Sequence, residues 1–177
     1  PNVGEHLYNH YGVNGLISGS MSITPFIDAF TDNRPYEPSD GSRRIVISAR
    51  HIPNTGIAVS SLLLKPKSKG SVHIVDTNPT VYPRLNLNMF SDGSVSTQGT
   101  DSYEIVSFLK VLQLIAAAYS QTVVSPSSTV YTGGDNALLA YAQTLSNMNV
   151  AYHVAGTARM GQSSSDSVVD GNLHVFG

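Results

Sequence analysis

The sequence predicts an α+β fold, in which an antiparallel or mixed β-sheet carries helices packed on one face. Three observations lead to this prediction. Short apolar runs bounded by Gly, Pro or Asn cluster between residues 43 and 90, two segments of helical periodicity follow them, and strand-like runs return near the carboxyl end. Because strands and helices are grouped, a regular βαβ alternation is not expected.

The first 40 residues show little periodicity. Glycines recur there among small and polar residues, and Pro35, Pro38 and the Ser-Asp-Gly sequence at 39–41 mark turns. We therefore predict residues 1–40 to be an irregular lead-in with only short elements.

Strand signals begin after Arg43. Residues 45–47, 57–64 and 72–75 are apolar runs rich in Ile and Val. Residues 84–90 instead alternate, with Leu, Leu and Met on one face and Arg, Asn and Asn on the other. A period of two is typical of a half-buried strand, so we predict one whose apolar face lies in the core.

Two helices are predicted next. The first covers residues 101–119, where Asp101 and Glu104 have the spacing of a capping box and Ser107 and Lys110 lie opposite an apolar stripe. That stripe consists of Ile105, Phe108, Leu112, Ile115 and Tyr119.

The second helix covers residues 135–147. Gly133 and Gly134 supply a turn before it, and Asp135 is the predicted N-cap. Its stripe consists of Leu138, Tyr141, Leu145 and Met148. Strand character returns at residues 150–154 and 173–176, on either side of a polar loop at 161–167.

Composition excludes several classes of protein. The 177 residues suit one domain, the net charge of −2 with 12% charged residues gives no footprint for nucleic acid, and no apolar run is long enough for a membrane span. Cysteine is absent, which excludes disulfides, thiolate metal sites and a Cys nucleophile. The sequence also has no Gly-x-Gly-x-x-Gly, Walker A, His-Glu-x-x-His or Gly-x-Ser-x-Gly motif.

Five of the six histidines have ordinary surroundings. His6 and His10 are four residues apart, which would place them on one face of a helix, as in metal sites, or in a structural or partner contact. No third ligand is evident, so we predict no metal. His51, His73 and His174 lie in or beside predicted strands and are expected to be structural.

His153 has a different neighbourhood. It lies at the end of a predicted strand, and Gly156 then turns the chain into a run of small residues. A strand end holds an imidazole rigidly, and a His with an ordinary pKa near 6.5 suits a general base. The alternative is a buried, hydrogen-bonded core histidine.

Residues 152–161, YHVAGTARMG, and residues 168–177, VVDGNLHVFG, together resemble the carboxy-terminal signature of the glucose–methanol–choline (GMC) oxidoreductases. Residues 1–10 are similar to the family's Pro-x-Val-Gly-x-Asn-Leu-x-Asp-His stretch, with His6 and Asn9 departing from it. Residues 65–72 and 83–90 also resemble family segments. The resemblance spans the chain and implies an FAD-dependent flavoenzyme that oxidises the CH–OH group of an alcohol.

The resemblance also implies roles for individual residues. His153 would be the catalytic base, and Gly156, Thr157 and Asp170 would lie at the cofactor. Residues 1–177 would be a single substrate-binding domain excised from a larger flavoenzyme, with 150–177 at the junction with an FAD domain of the same polypeptide. The family's second catalytic His or Asn would lie beyond Gly177, so the fragment alone is expected to be inactive.

Two other functions remain open under the same resemblance. The chain could belong to a non-catalytic structural or packaging protein derived from the family, since a fold does not settle a function. It could also belong to a related hydroxynitrile lyase, which would use the same histidine-bearing loop without net redox chemistry.

Overall fold

A six-stranded antiparallel sheet is the framework of the chain. The computed structural model describes residues 2–19, 27–30 and 45–177, and only the backbone of 27–30. The elements in chain order are β1 (Tyr11–Ile17), β2 (Ile27–Phe30), β3 (Ile45–Ile52), β4 (Gly56–Leu63), β5 (Ser71–His73), β6 (Arg84–Asn86), α1 (Asp101–Ala118), β7 (Val123–Ser125), α2 (Ser128–Thr132), α3 (Gly134–Gln143) and β8 (Met148–Val150).

The strand order is β2-β3-β4-β1-β7, and β8 also pairs with β1. The predicted runs at 45–47 and 57–64 lie in β3 and β4, which pair along their whole length from Ile45 opposite Leu63 to Ile52 opposite Gly56. Alternate residues of these strands face a core that α1 and α3 complete. The α+β prediction, with an antiparallel sheet and helices packed against it, is confirmed.

The prediction of irregular structure over residues 1–40 is wrong at β1, which is a seven-residue strand inside the sheet. The sequence did not indicate this strand because two of its residues are glycines. Each glycine is required, because another atom lies where a Cβ would be. A Cβ on Gly15 would lie 2.3 Å from Leu112 Cδ2, and one on Gly12 would lie 2.0 Å from the carbonyl oxygen of Ser61. Residues 20–26 and 31–40 of the predicted lead-in lie outside the described residues.

Helix α1 covers the predicted segment, and Ile105, Phe108 and Leu112 are buried as expected. Two details differ. Ser107 is also buried, because the first half of α1 is covered on all sides, whereas Tyr119 lies beyond the helix end and is 59% exposed.

Asp101 is not the N-cap of α1. The cap is Thr100, whose hydroxyl accepts the N–H of Tyr103 at 3.2 Å. The buried carboxylate of Asp101 instead accepts hydrogen bonds from the Tyr11 hydroxyl at 2.7 Å, Lys67 N–H at 2.9 Å and Ser68 N–H at 2.9 Å. This carboxylate therefore ties β1 and the 65–70 segment to the start of α1.

The second predicted helix is shorter than expected. A separate helix, α2, precedes it, and α3 ends at Gln143. The residue before its first turn, Gly133, makes no side-chain cap, and Asp135 pairs with Lys110 at 2.7 Å instead of capping. Leu145 falls in a 3₁₀ turn and is 84% exposed, so it is not part of the core stripe.

Residues 84–90 do not form a half-buried strand. Only β6 is extended, and it pairs with β5 in a separate two-stranded ribbon in which Leu85 is 58% exposed. Alternation predicted the extended backbone but not its burial, because no second layer covers this ribbon among the described residues. Residues 173–176 contain one isolated bridge, between Val169 and Val175, instead of the predicted strand.

The helices in the described part of the chain are too short or too polar to cross a bilayer.

Candidate functional site

The antiparallel pairing of β1 with β8 continues past the end of β8. The N–H of Ala151 donates to the carbonyl of His10 at 3.0 Å, and two further bonds of 2.9 and 3.0 Å join Tyr8 and Ala155. Between these two pairings, three residues of the later segment lie opposite one residue of the earlier one. The two additional residues form a bulge, a feature that redirects side chains beside functional sites.

The bulge consists of residues 152–154 opposite Asn9. Tyr152 has a φ of +57°, a conformation that L residues rarely adopt. Asn9 is 5% exposed, and its Oδ1 accepts the backbone N–H of His153 at 2.8 Å. A buried side chain thus replaces the backbone partner that the bulge removes.

His153 is exposed at the top of this bulge, so it is not a buried core histidine. Its Nδ1 lies 3.1 Å from Nδ1 of His10, and the two rings meet edge to face with centroids 5.2 Å apart. Partial burial lowers the pKa of His10, the charge of His153 lowers it further, and a hydrogen bond with the backbone of Leu64 raises it. His10 therefore favours the neutral form beside the exposed imidazole.

Gly156 has a φ of +100°, and a Cβ there would lie 2.1 Å from the carbonyl oxygen of His6 and 3.0 Å from the Tyr8 ring. Its missing side chain therefore accommodates the amino-terminal segment. The carbonyl of Thr157 accepts the N–H of Gly4 at 3.0 Å. Both residues lie shortly after the bulge and contact the segment at residues 4–8.

Asp170 organises a tight turn. Its Oδ1 accepts the backbone N–H groups of Asn172 at 2.8 Å and His174 at 2.9 Å, and Oδ2 lies 3.4 Å from Nδ1 of His174. These contacts give the carboxylate a local structural role. The side chain of His174 is 78% exposed and is not part of the predicted terminal strand.

The remaining histidines do not form a metal site. Residues 6–10 are not helical, and His6 has a φ of +59°, so the four-residue spacing does not bring His6 and His10 onto one helical face. His73 pairs with Glu5 at 3.1 Å, and His51 lies in β3. Within residues 2–19 and 45–177, no three His, Asp or Glu side chains converge on a position that could hold a metal ion.

A cavity of about 340 Å³ lies on the sheet. Its lining residues are Asn14, Ser48, Ala49, Arg50, Ala58, Ser60 and Asn149. Much of the polar lining is already engaged, since Ser60 Oγ donates to Asn14 Oδ1 at 2.7 Å and Asn149 Nδ2 donates to the carbonyl of Ser61 at 3.2 Å. Among the side chains that the structure describes, the lining has no residue that can act as a base near neutral pH, so the imidazole pair is the stronger candidate for chemistry.

Asn9 is a residue of this site that sequence reasoning missed, and His10 was considered only with His6, as a possible metal ligand or a structural or partner contact. Both belong to the stretch at residues 1–10 that carries part of the family resemblance, which is the one signal that could have singled them out. Their proximity to His153 depends on strand pairing across more than 140 residues, and no local pattern encodes that pairing.

Comparisons with known proteins agree with the family resemblance of the sequence. Residues 66–177 match the family model described as GMC oxidoreductase. A dehydrogenase of Armillaria gallica is 29% identical over 68% of this chain and 18% of its own length. The chloroplastic fatty acid photodecarboxylase of Chlamydomonas reinhardtii is 30% identical over 69% of this chain and 20% of its own length. The matched region thus represents about a fifth of each of these relatives.

Two solved structures share the fold. Pyridoxine 4-oxidase from Mesorbium loti aligns with a TM-score of 0.62 at 18% identity, over 99% of this chain and 36% of that chain. A fungal aryl-alcohol oxidase aligns with a TM-score of 0.66 at 16% identity, over 99% of this chain and 42% of that chain.

Proposed function

The chain belongs to the GMC oxidoreductase family, and from this we propose that it forms the substrate-side part of an FAD-dependent oxidoreductase acting on the CH–OH group of an alcohol. The observation that carries the proposal is the exposed imidazole of His153 on a bulge whose backbone is fixed by buried Asn9. A base held on a rigid support and open to a ligand is what proton abstraction requires.

Two of the residues that the family resemblance places at the cofactor are engaged within this chain. The sequence has no Gly-x-Gly-x-x-Gly cradle, the space at Gly156 is filled by the His6 carbonyl, and the Asp170 carboxylate is engaged within its own turn. We propose that a further FAD domain of the same polypeptide holds most of the cofactor. His153 and Thr157 would then meet its reactive edge, while Gly156 and Asp170 keep the segment in shape.

FAD, when bound, supplies the acceptor for the hydride that leaves the substrate carbon. The part of His153 is to accept the hydroxyl proton of the alcohol on a ring nitrogen. The resulting imidazolium then stabilises the negative charge that develops on the substrate oxygen. The Asn9 hydrogen bond fixes the backbone of His153, so little motion is needed when the proton transfers.

The proposal is tested by anaerobic stopped-flow reduction of the flavin in the holoenzyme, meaning this chain together with its flavin domain. His153→Ala should retain bound FAD but slow reduction by alcohol on the order of 10² to 10⁴-fold, the range for a lost general base. The matched control is His51→Ala, which removes an imidazole from β3 and should leave the rate unchanged. An unchanged rate in His153→Ala would contradict the proposal.

The same holoenzyme separates the alternatives. A packaging protein would show no flavin reduction with any of a panel of primary and secondary alcohols. A hydroxynitrile lyase would cleave a cyanohydrin without reducing the flavin. Because one relative is named as a fatty acid photodecarboxylase, light-dependent loss of carbon dioxide from a fatty acid should be assayed as well.

A further inference from the structure

The contact between His10 and His153 requires a particular arrangement of protons. Their Nδ1 atoms are 3.1 Å apart, and a hydrogen bond between two imidazole nitrogens needs an N–H on one ring and a lone pair on the other. Two arrangements satisfy this requirement when both rings are neutral. They differ in whether the other nitrogen of His153, Nε2, presents a lone pair or an N–H to a substrate.

The proposed role of His153 distinguishes the two arrangements. Nδ1 of His153 is occupied by the contact with His10, so Nε2 is the nitrogen left for a substrate, and it has a lone pair only when the single N–H of the neutral ring is on Nδ1. That Nδ1–H then needs an acceptor, which is a lone pair on Nδ1 of His10. Partial burial lowers the pKa of His10 and so favours the neutral ring that has such a lone pair.

We propose that His10 is a positioning residue that accepts the Nδ1–H of His153 and thereby holds the Nε2 lone pair of His153 ready to take a proton. This inference rests on the proposed function, in which His153 is the base. His10 would do for His153 what a carboxylate does in other sites, namely fix the tautomer and the ring orientation. The His10 ring meets the His153 ring edge to face, at an angle of 83° between the ring planes. This packing also limits rotation of the His153 ring.

The proton inventory is balanced throughout. The O–H bond of the alcohol breaks and an Nε2–H bond forms on His153, which becomes an imidazolium. The Nδ1–H of His153 stays in place and donates to the lone pair of neutral His10. His10 itself gains and loses no proton.

The first test compares His10→Leu with His10→Asn in the holoenzyme. Leu has a similar bulk but no acceptor, so flavin reduction at saturating alcohol should slow on the order of 10 to 100-fold, the loss typical when a partner that orients a functional imidazole is removed. Asn can place a carbonyl oxygen near the position of Nδ1, so it should restore most of the rate. FAD content and substrate affinity should be unchanged in both variants.

The outcomes separate the two proposals. A wild-type rate in His10→Leu, with a slow His153→Ala variant, overturns the positioning role and leaves His153 as the base. Equal losses in the Leu and Asn variants also overturn it, because they indicate packing alone. A wild-type rate in His153→Ala overturns the proposed function itself.

A second test needs neither a variant nor turnover. Long-range ¹H–¹⁵N correlation spectra of ¹⁵N-histidine-labelled holoenzyme report which ring nitrogens carry protons. We expect protonated Nδ1 and bare Nε2 on His153, and the reverse on His10. A spectrum showing His153 as the Nε2–H tautomer would overturn the inference even if the variants lose activity.

Discussion

The buried amide oxygen of Asn9 accepts the backbone N–H of His153 at 2.8 Å, across 144 positions of sequence. This bond lies where the pairing of two segments is interrupted by a bulge, and it satisfies a donor that would otherwise have no partner there. It therefore links the stability of the bulge to one side chain.

Asn9→Ala should destabilise the protein by about 1–3 kcal/mol, because the N–H of His153 loses its buried acceptor. It should also slow flavin reduction, since the backbone of the base is no longer fixed. Asn9→Asp is the matched control, because it keeps an acceptor oxygen at the same position. Urea unfolding and stopped-flow reduction measure the two effects, and equal behaviour of both variants would contradict the assigned role.

Gly156→Ala should be strongly destabilising. The positive φ alone costs on the order of 1–3 kcal/mol for a non-glycine residue, and the new methyl group would lie 2.1 Å from the His6 carbonyl. The control is Gly171→Ala, where no atom lies within 4 Å of the added Cβ. Thermal unfolding should show a lower midpoint for Gly156→Ala alone. Matching midpoints would count against the close contact between Gly156 and the His6 carbonyl.

Tyr11→Phe removes a hydroxyl that donates to Asp101 at 2.7 Å and accepts the N–H of Phe90 at 3.1 Å. Both partners would be left short of a hydrogen bond, so we expect a loss of about 1–3 kcal/mol in the free energy of unfolding. Tyr119→Phe, at an exposed position, should stay within about 0.5 kcal/mol of the wild type. Denaturant unfolding of the two variants side by side measures this difference.

The same tyrosine should make the protein sensitive to alkali. Burial and then the charge of Asp101 raise the pKa of Tyr11 above its ordinary value of 10.0. Above that pH the unfolded chain loses the phenol proton while the folded chain keeps it, so stability falls as the pH rises, by about 1.4 kcal/mol per pH unit for one such group. Urea unfolding at a series of pH values above 10 should show a shallower decline in Tyr11→Phe, and identical slopes would exclude the effect.

Local patterns predicted the parts of the fold that local physics determines. Helix α1 is long, and the apolar residues Ile105, Phe108 and Leu112 that recur along it at helical spacing are buried as predicted. Strand β1 was missed because a strand interior with two glycines and an asparagine has weak strand propensity, and the glycines are explained only by their neighbours in space. The ribbon that contains Leu85 shows the opposite error, because a buried face was predicted there and is exposed. Alternation implies burial only when a second layer covers the strand.

The candidate site, like the fold, was predicted only in part from the sequence. His153 and its turn are evident from the sequence and from the family resemblance. The proposed tautomer of that imidazole depends on His10, which reaches it through strand pairing and not through neighbouring sequence. Residue type and spacing therefore predict a base, whereas its orientation follows from the fold.

The pairing of residues 4–13 with 148–157 joins segments that are far apart in the sequence, and its consequence concerns the order of folding. Contacts of such long range pay their loop-closure entropy before they gain any stability, so they form after local helices such as α1. We expect the two imidazoles to meet only when the sheet closes. A partly folded chain would then contain both histidines without the contact between their rings. The proton position on His153 would therefore be fixed only once the sheet is complete.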